Sequence, residues 1–204
     1  MQKTKAIIFD LGGVILNIDY NLTRKAFENA GIQNFHDMYS QASADELFSN
    51  LETGKISNGN FYKEFNKRAG SNLTPGEIKN AWNELLLTFR ENSLKFLDSI
   101  RPKYNLYLLS NTNHIHLNAF NKIYYQAERS KTFEEHFDKA YYSCAMGLRK
   151  PNGNIYEFVL KENNLNPSET LFVDDSVQNV EAARLSGMQA ILLEPGKFIE
   201  DLNL

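Results

Sequence analysis

Three short apolar runs in this 204-residue chain end in side chains that could do chemistry, and a fourth candidate lies between them. AIIFD ends in Asp10. LYLLS ends in Ser110, with Asn111 next, and TLFVD ends in Asp174, with Asp175 next; Arg149 and Lys150 stand directly before Pro151. Each has an ordinary explanation. An aspartate after a strand is a turn former, Ser110 could cap the TNHIHL segment, and a lysine is usually a solvated charge. The Asp174–Asp175 pair is harder to explain away. Adjacent carboxylates after a buried FV run repel one another unless a cation sits between them.

The elements that must position these groups follow from the pattern. Strands are expected at Ala6–Asp10, Leu106–Ser110, Ala140–Ser143, Thr170–Asp174 and Gln189–Leu193. They are nearly continuous apolar runs separated by helical patterns, which argues for an α/β fold with a parallel sheet covered on both faces. In such sheets ligands bind beyond the carboxyl ends of the strands, where Asp10, Ser110 and Asp174 fall. Pro151 is expected in the first turn of a helix, and Ser176 as the cap of VQNVEAARLSG, which stops at Gly187. Between the first two strands the strand signal vanishes and helix signals recur. Leu22–Ala30 is periodic, ADELFSNLE follows, Ser57 precedes NGNFYKEFNKRAG, and Thr74, Pro75 and Glu77 form a capping box before IKNAWNELLL. The expectation is a Rossmann-like core of residues 1–16 and 89–204 with a helical cap, 17–88, inserted into it; an extra helical layer packed on the sheet is the alternative.

FDLGGV, LLSNT, RKP and LFVDDSVQN resemble, in order and spacing and over almost the whole chain, the four motifs of the haloacid dehalogenase-like hydrolase superfamily. The longer stretches FDLGGVILNIDY, LSNTNHIH, GLRKPNGNIYEFVL and FVDDSVQN resemble its alpha-D-glucose-1-phosphate phosphatase branch. The resemblance implies a role for each position. Asp10 matches the nucleophile that takes up the phosphoryl group. Ser110, with backbone N–H groups from Asn111 onward, matches the phosphate-binding turn, and Lys150 the ammonium that neutralises nucleophile and phosphate. Asp175 and Asp174 match the acidic pair of a Mg²⁺ site, Asp175 as direct ligand and Asp174 in support, and position 12 matches a backbone carbonyl ligand. Mg²⁺ and Lys150 would offset the repulsion between a carboxylate nucleophile and an anionic phosphate, and covalent attack would split one hard hydrolysis into two easier steps.

Position 12 is also where this chain departs from the pattern. Most phosphatases of the superfamily carry a second aspartate there, which protonates the leaving oxygen; here it is Gly12. Loss of a general acid costs ~10²–10⁴ in rate. One reading is a phosphatase of a small phosphorylated metabolite, a sugar phosphate above all, whose leaving group or surroundings supply what Gly12 lacks. A second is a 2-haloacid dehalogenase, which needs no acid but has no use for the Asp174–Asp175 pair. A third is a catalytically degenerate module that binds a phosphorylated ligand or a protein.

The remaining features narrow the field. Formal net charge is −3, with 22 Lys and Arg against 25 Asp and Glu, so no nucleic-acid partner is implied. No apolar run reaches membrane-spanning length, the N-terminal run is too short for a signal-peptide core, and the lone Cys144 fits a reducing compartment; a cytoplasmic location is the expectation. His114 and His116 point about 200° apart on a helix, so they share no face for a metal. His36 and His136 have no partners by spacing. Trp82 and the tyrosine-rich segments read as packing groups, although Phe48, Phe61, Tyr62 and Trp82 could meet a sugar face, and Arg149 reads as a surface charge.

Overall fold

The computed structural model describes residues 4–33, 35–39, 45–127, 129–202 and 204, the side chains of 36 and 37 excepted. The chain begins with β1 (Ala6–Phe9) and β2 (Leu16–Ile18). Helices α1 (Tyr20–Asn29), α2 (Phe35–Met38), α3 (Glu46–Glu52), α4 (Asn58–Ala69) and α5 (Pro75–Asn83) follow. Next come β3 (Leu86–Phe89), α6 (Glu91–Ile100), β4 (Asn105–Ser110), α7 (His114–Tyr125), β5 (Lys139–Tyr142) and α8 (Ser143–Met146). The chain then runs through α9 (Gly153–Glu162), β6 (Thr170–Asp174), α10 (Val177–Leu185) and β7 (Gln189–Leu192).

Five of the strands form one sheet in the order β5-β4-β1-β6-β7, each pair parallel. The strand period of two divides each apolar run between two covered faces. Ile7, Phe9, Leu106, Leu108, Leu171 and Val173 pack in one core, and Ala6, Ile8, Tyr107, Leu109 and Phe172 in the other, against Ile155, Tyr156 and Val159 of α9. Burial on both sides is why these strands read as continuous apolar runs rather than alternating ones.

Two strands were not expected. β2 and β3 pair antiparallel, Leu16 with Phe89 and Ile18 with Leu86, as a ribbon through which the chain leaves the sheet and returns. They escape sequence reading because they are short and because Asn17, Thr88 and the exposed Leu87 break any pattern. The helices between them share an apolar cluster built on Phe27, Phe48, Phe61, Phe65, Ile78 and Trp82, to which α7 adds Ile115. The capping box of Thr74 and Glu77 is present, and Ser57 caps α4.

Several boundaries differ from expectation. Pro151 lies ahead of α9, whose N-cap is Asn152, and follows a cis Lys150–Pro151 bond. Ser110 caps nothing: it is the last residue of β4, and Asn113 caps α7, accepting from the N–H groups of Ile115 and His116. Ser176 occupies the N-cap position of α10 without making the side-chain bond, and Ser143 opens α8 instead of ending β5. No helix among the described residues is long and apolar enough to cross a membrane.

Candidate active site

Parallel register brings the acidic groups together. Phe9 lies level with Val173, so Asp10 and Asp174 are neighbours one step further along β1 and β6, and Asp175 projects beyond them. The Asp10 N–H bonds the Val173 carbonyl at 2.9 Å, which extends the ladder to Asp10. One carboxylate oxygen from each of Asp10, Asp174 and Asp175 lies within 4.8 Å of the others.

Lys150 reaches this cluster from the α9 side and is 1% exposed. Its Nζ donates to Asp10 Oδ1 at 2.5 Å and to Asp174 Oδ2 at 2.7 Å, and it stands 5.4 Å from the centre of the Phe172 ring. Asn111 fixes the lysine backbone from both sides, donating from Nδ2 to the Lys150 carbonyl and accepting the Lys150 N–H, each at 2.9 Å. The Asn111 side chain is therefore committed to Lys150, and its backbone N–H is what it can offer a phosphate. Ser110 is buried and lines the same cavity.

Asp174 is fully buried and saturated. Besides Lys150 it accepts from Asn179 Nδ2 at 3.0 Å on each oxygen and from the Ser176 N–H at 2.8 Å. Sequence reading did not single out Asn179, which lies five residues after Asp174 in the first turn of α10. Asp175 packs closely on the loop after β1: a Cβ on Gly13, which has φ +72°, would overlap Asp175 Oδ2. Gly13 thus serves both the turn and the approach of the carboxylate.

The electrostatics are unbalanced. Burial pushes Asp10 up to about 7, against the pull of Lys150, and Asp174 and Asp175 push it the same way as burial. Burial also opposes the Lys150 charge, but Asp10 and Asp174 outweigh it and hold the ammonium above the usual lysine range. Three carboxylates facing one ammonium leave an excess equal to the charge of one divalent cation. Asp10, Asp174 and Asp175 together offer the hard oxygen donors that suit magnesium.

The cavity above these groups is closed by residues of the ribbon and helices. Gly12 lies in its wall, and a Cβ there would come within 2.9 Å of Ile18 Cδ1. Tyr20, Tyr39 and Glu52 line it from the helical segment and Arg149 from the core side. Arg149 is no surface charge: its guanidinium approaches Glu52 at 2.9 Å. The aromatic residues expected at the mouth are elsewhere. Phe48, Phe61 and Trp82 are fully buried in the helical cluster, with Tyr62 packed on its edge. The histidines hold no metal cluster among the described residues. His116 is buried between α7 and α5, and His136 finds tertiary partners, Asp98 at 2.8 Å and the Tyr124 hydroxyl at 2.9 Å. The side chain of His36 lies outside the described residues.

Comparison with known proteins agrees with this geometry. A family model for haloacid dehalogenase-like hydrolases matches residues 4–187. The D-ribitol-5-phosphate phosphatase of Bacteroides thetaiotaomicron is 35% identical over 195 residues, which cover 94% of this chain and 93% of that protein. A solved HAD family enzyme from Bacteroides thetaiotaomicron, in complex with magnesium and inorganic phosphate, superimposes with a TM-score of 0.88 at 31% identity and covers 98% of this chain and 100% of its own. A HAD-like family hydrolase from Porphyromonas gingivalis has a TM-score of 0.85 at 32% identity, over 95% of this chain and 93% of that one.

Proposed function

Since the chain belongs to the haloacid dehalogenase-like hydrolase family, we propose that it is a magnesium-dependent phosphatase of small sugar or sugar-alcohol phosphates, acting through an aspartyl phosphate on Asp10. The observation that carries this reading is the Asp10–Lys150–Asp174–Asp175 constellation at the ends of adjacent parallel strands. A relative that is a D-ribitol-5-phosphate phosphatase and a structural neighbour that binds magnesium and phosphate support it.

In this reading Asp10 and Asp175, with the carbonyl at Gly12, would hold the magnesium ion, which supplies charge stabilisation to the phosphoryl oxygens. An Asp10 oxygen attacks phosphorus, the bond from phosphorus to the substrate oxygen breaks, and Lys150 and Ser110 hold the charge of the phosphoryl group in transit. Water then attacks the acyl phosphate, releasing inorganic phosphate and restoring Asp10. Gly12 offers no proton, so the leaving oxygen takes one from water or from a neighbouring hydroxyl of the substrate itself. A polyol 5-phosphate expels a primary alkoxide, a poorer leaving group than an anomeric oxygen, which makes a substrate-borne proton more valuable. The helical segment 17–88 serves as the cap that covers this chemistry. The retained acidic trio is what argues against a haloacid dehalogenase, since a departing halide gains nothing from a cation site.

The test is a phosphatase screen over sugar, sugar-alcohol and nucleotide phosphates with and without Mg²⁺, on the wild type and Asp10→Asn. Magnesium-dependent phosphate release that drops by about 10³-fold or more in the folded variant supports the proposal. Absence of release from any phosphomonoester by the wild type defeats it and leaves the binding module. Activity that survives in Asp10→Asn rules out the covalent route.

A further inference from the structure

We infer that Glu52, together with Arg149, is a hydroxyl-reading wall that selects neutral polyhydroxylated substrates; this rests on the phosphatase reading of the neighbouring site. Glu52 closes α3 and is 5% exposed, yet it lines the same cavity as Asp10 and Lys150. Its Oε1 accepts from the Tyr39 hydroxyl at 3.2 Å. Its Oε2 lies 2.9 Å from Arg149 Nη2, a buried ion pair that joins the helical segment to the core. Arg149 Nε is buried with no hydrogen-bond partner among the described residues. A buried ion pair offsets its desolvation only when its remaining donors and acceptors are also met, which a ligand in the cavity can do.

The chemistry of that ligand follows from what the wall offers. Beyond their own contact, the Glu52 carboxylate can take further donors and the Arg149 guanidinium further acceptors. A second phosphate or a carboxylate only accepts and is repelled by Glu52; an ammonium only donates and is repelled by Arg149. A hydroxyl does both and carries no charge, and a polyol brings several in a row. The wall is also held in place. Gly54, with φ +67°, lies so close to α8 that a Cβ there would overlap the Cys144 carbonyl, so the end of α3 sits directly against the core. Glu52 comes from the helical segment and Arg149 from the residue before Lys150, so hydroxyls bound against the pair would hold the organic part of the substrate while its phosphate faces Lys150.

The experiment compares Glu52→Gln with the wild type on D-ribitol 5-phosphate and on propyl phosphate, which has a leaving oxygen of the same kind and no hydroxyls. The expected result is that the ratio of kcat/KM between the two substrates falls at least about tenfold in the variant, chiefly through KM. An unchanged ratio overturns the inference, and so does an equal loss on both substrates, which would place Glu52 in the chemistry or the fold. Ribitol titrated against each protein by ligand-observed NMR reads the wall without turnover. Saturable binding weakened about tenfold in Glu52→Gln is expected, and equal or absent binding to the wild type overturns the inference. If the wild type hydrolyses neither phosphate, the phosphatase reading is what has failed, and the ribitol titration alone decides on Glu52.

Discussion

At the residue scale, the side chain absent from position 12 has been replaced in space by another. Ile18 Cδ1, from the outgoing strand of the ribbon, stands 2.9 Å from where a Cβ on Gly12 would sit, so an apolar methyl group crowds the room of the usual acid. Gly12→Asp alone would have to push Ile18 aside. Gly12→Asp combined with Ile18→Ala has room for the carboxyl group, and it should raise kcat on alkyl phosphates by about tenfold or more, since a positioned acid is worth ~10²–10⁴ at full effect. Substrates with a good leaving group, such as p-nitrophenyl phosphate, should gain little, because they leave without a proton. A pair of steady-state assays checks this; equal gains on both substrates would show that the new carboxyl group is not acting as an acid.

At the element scale, α5 and α7 are joined through a histidine that sequence spacing left without a role. His116 Nε2–H donates to the Trp82 carbonyl at 3.0 Å, its ring stacks on Trp82 at 4.6 Å, and Nδ1 accepts from Asn113 Nδ2 at 3.1 Å. The ring must be neutral for this, since a proton on Nδ1 would face the Asn113 amide. Burial pushes His116 down from 6.5 to about 4, although the bond to Trp82 works the other way. With a depressed folded value, the unfolded chain takes up the proton first. His116 therefore leaves stability unchanged above about pH 6.5, and stability then falls by ~1.4 kcal/mol per pH unit down to about pH 4. Urea unfolding should show the wild type losing roughly 2 kcal/mol more than His116→Gln between pH 7 and pH 5. Parallel losses in the two proteins would mean that other groups carry the acid sensitivity.

For the whole molecule, the acidic trio is a point where two central strands, the loop after β1 and the start of α10 meet under mutual repulsion. A cation bound there stabilises the folded chain alone, because the unfolded chain does not bring Asp10 and Asp175 together. Saturating Mg²⁺, at about a hundred times its Kd, should add ~2.7 kcal/mol to unfolding stability and raise Tm, and EDTA should reverse this. Asp175→Asn should lose most of the shift while keeping the fold. A magnesium response of the same size in that variant would put the cation elsewhere. Calorimetry reads this without any substrate.

Much of this was legible in the residues themselves. Asp10, Ser110 and the Asp174–Asp175 pair stand at the ends of apolar runs, and parallel pairing of such runs brings strand ends to one edge, so local pattern was enough to bring them together; Lys150 joins them from the loop before α9. The capping box at Thr74 and the helical character of the segment around it were equally local. What sequence could not supply is everything that depends on which distant groups meet. Asn179 saturates Asp174 across the turn into α10. Arg149 becomes a wall of the cavity only because Glu52 arrives from α3, and Ile18 fills the place of a missing side chain only because β2 folds back beside Gly12. Sequence determined the sheet, the carboxylate at the end of β1 and the glycine two places after it, because these are written in residue types at short range. Tertiary packing decided what fills the cavity and what its wall can recognise, because hydrogen-bond direction and steric room exist only between segments far apart in the chain.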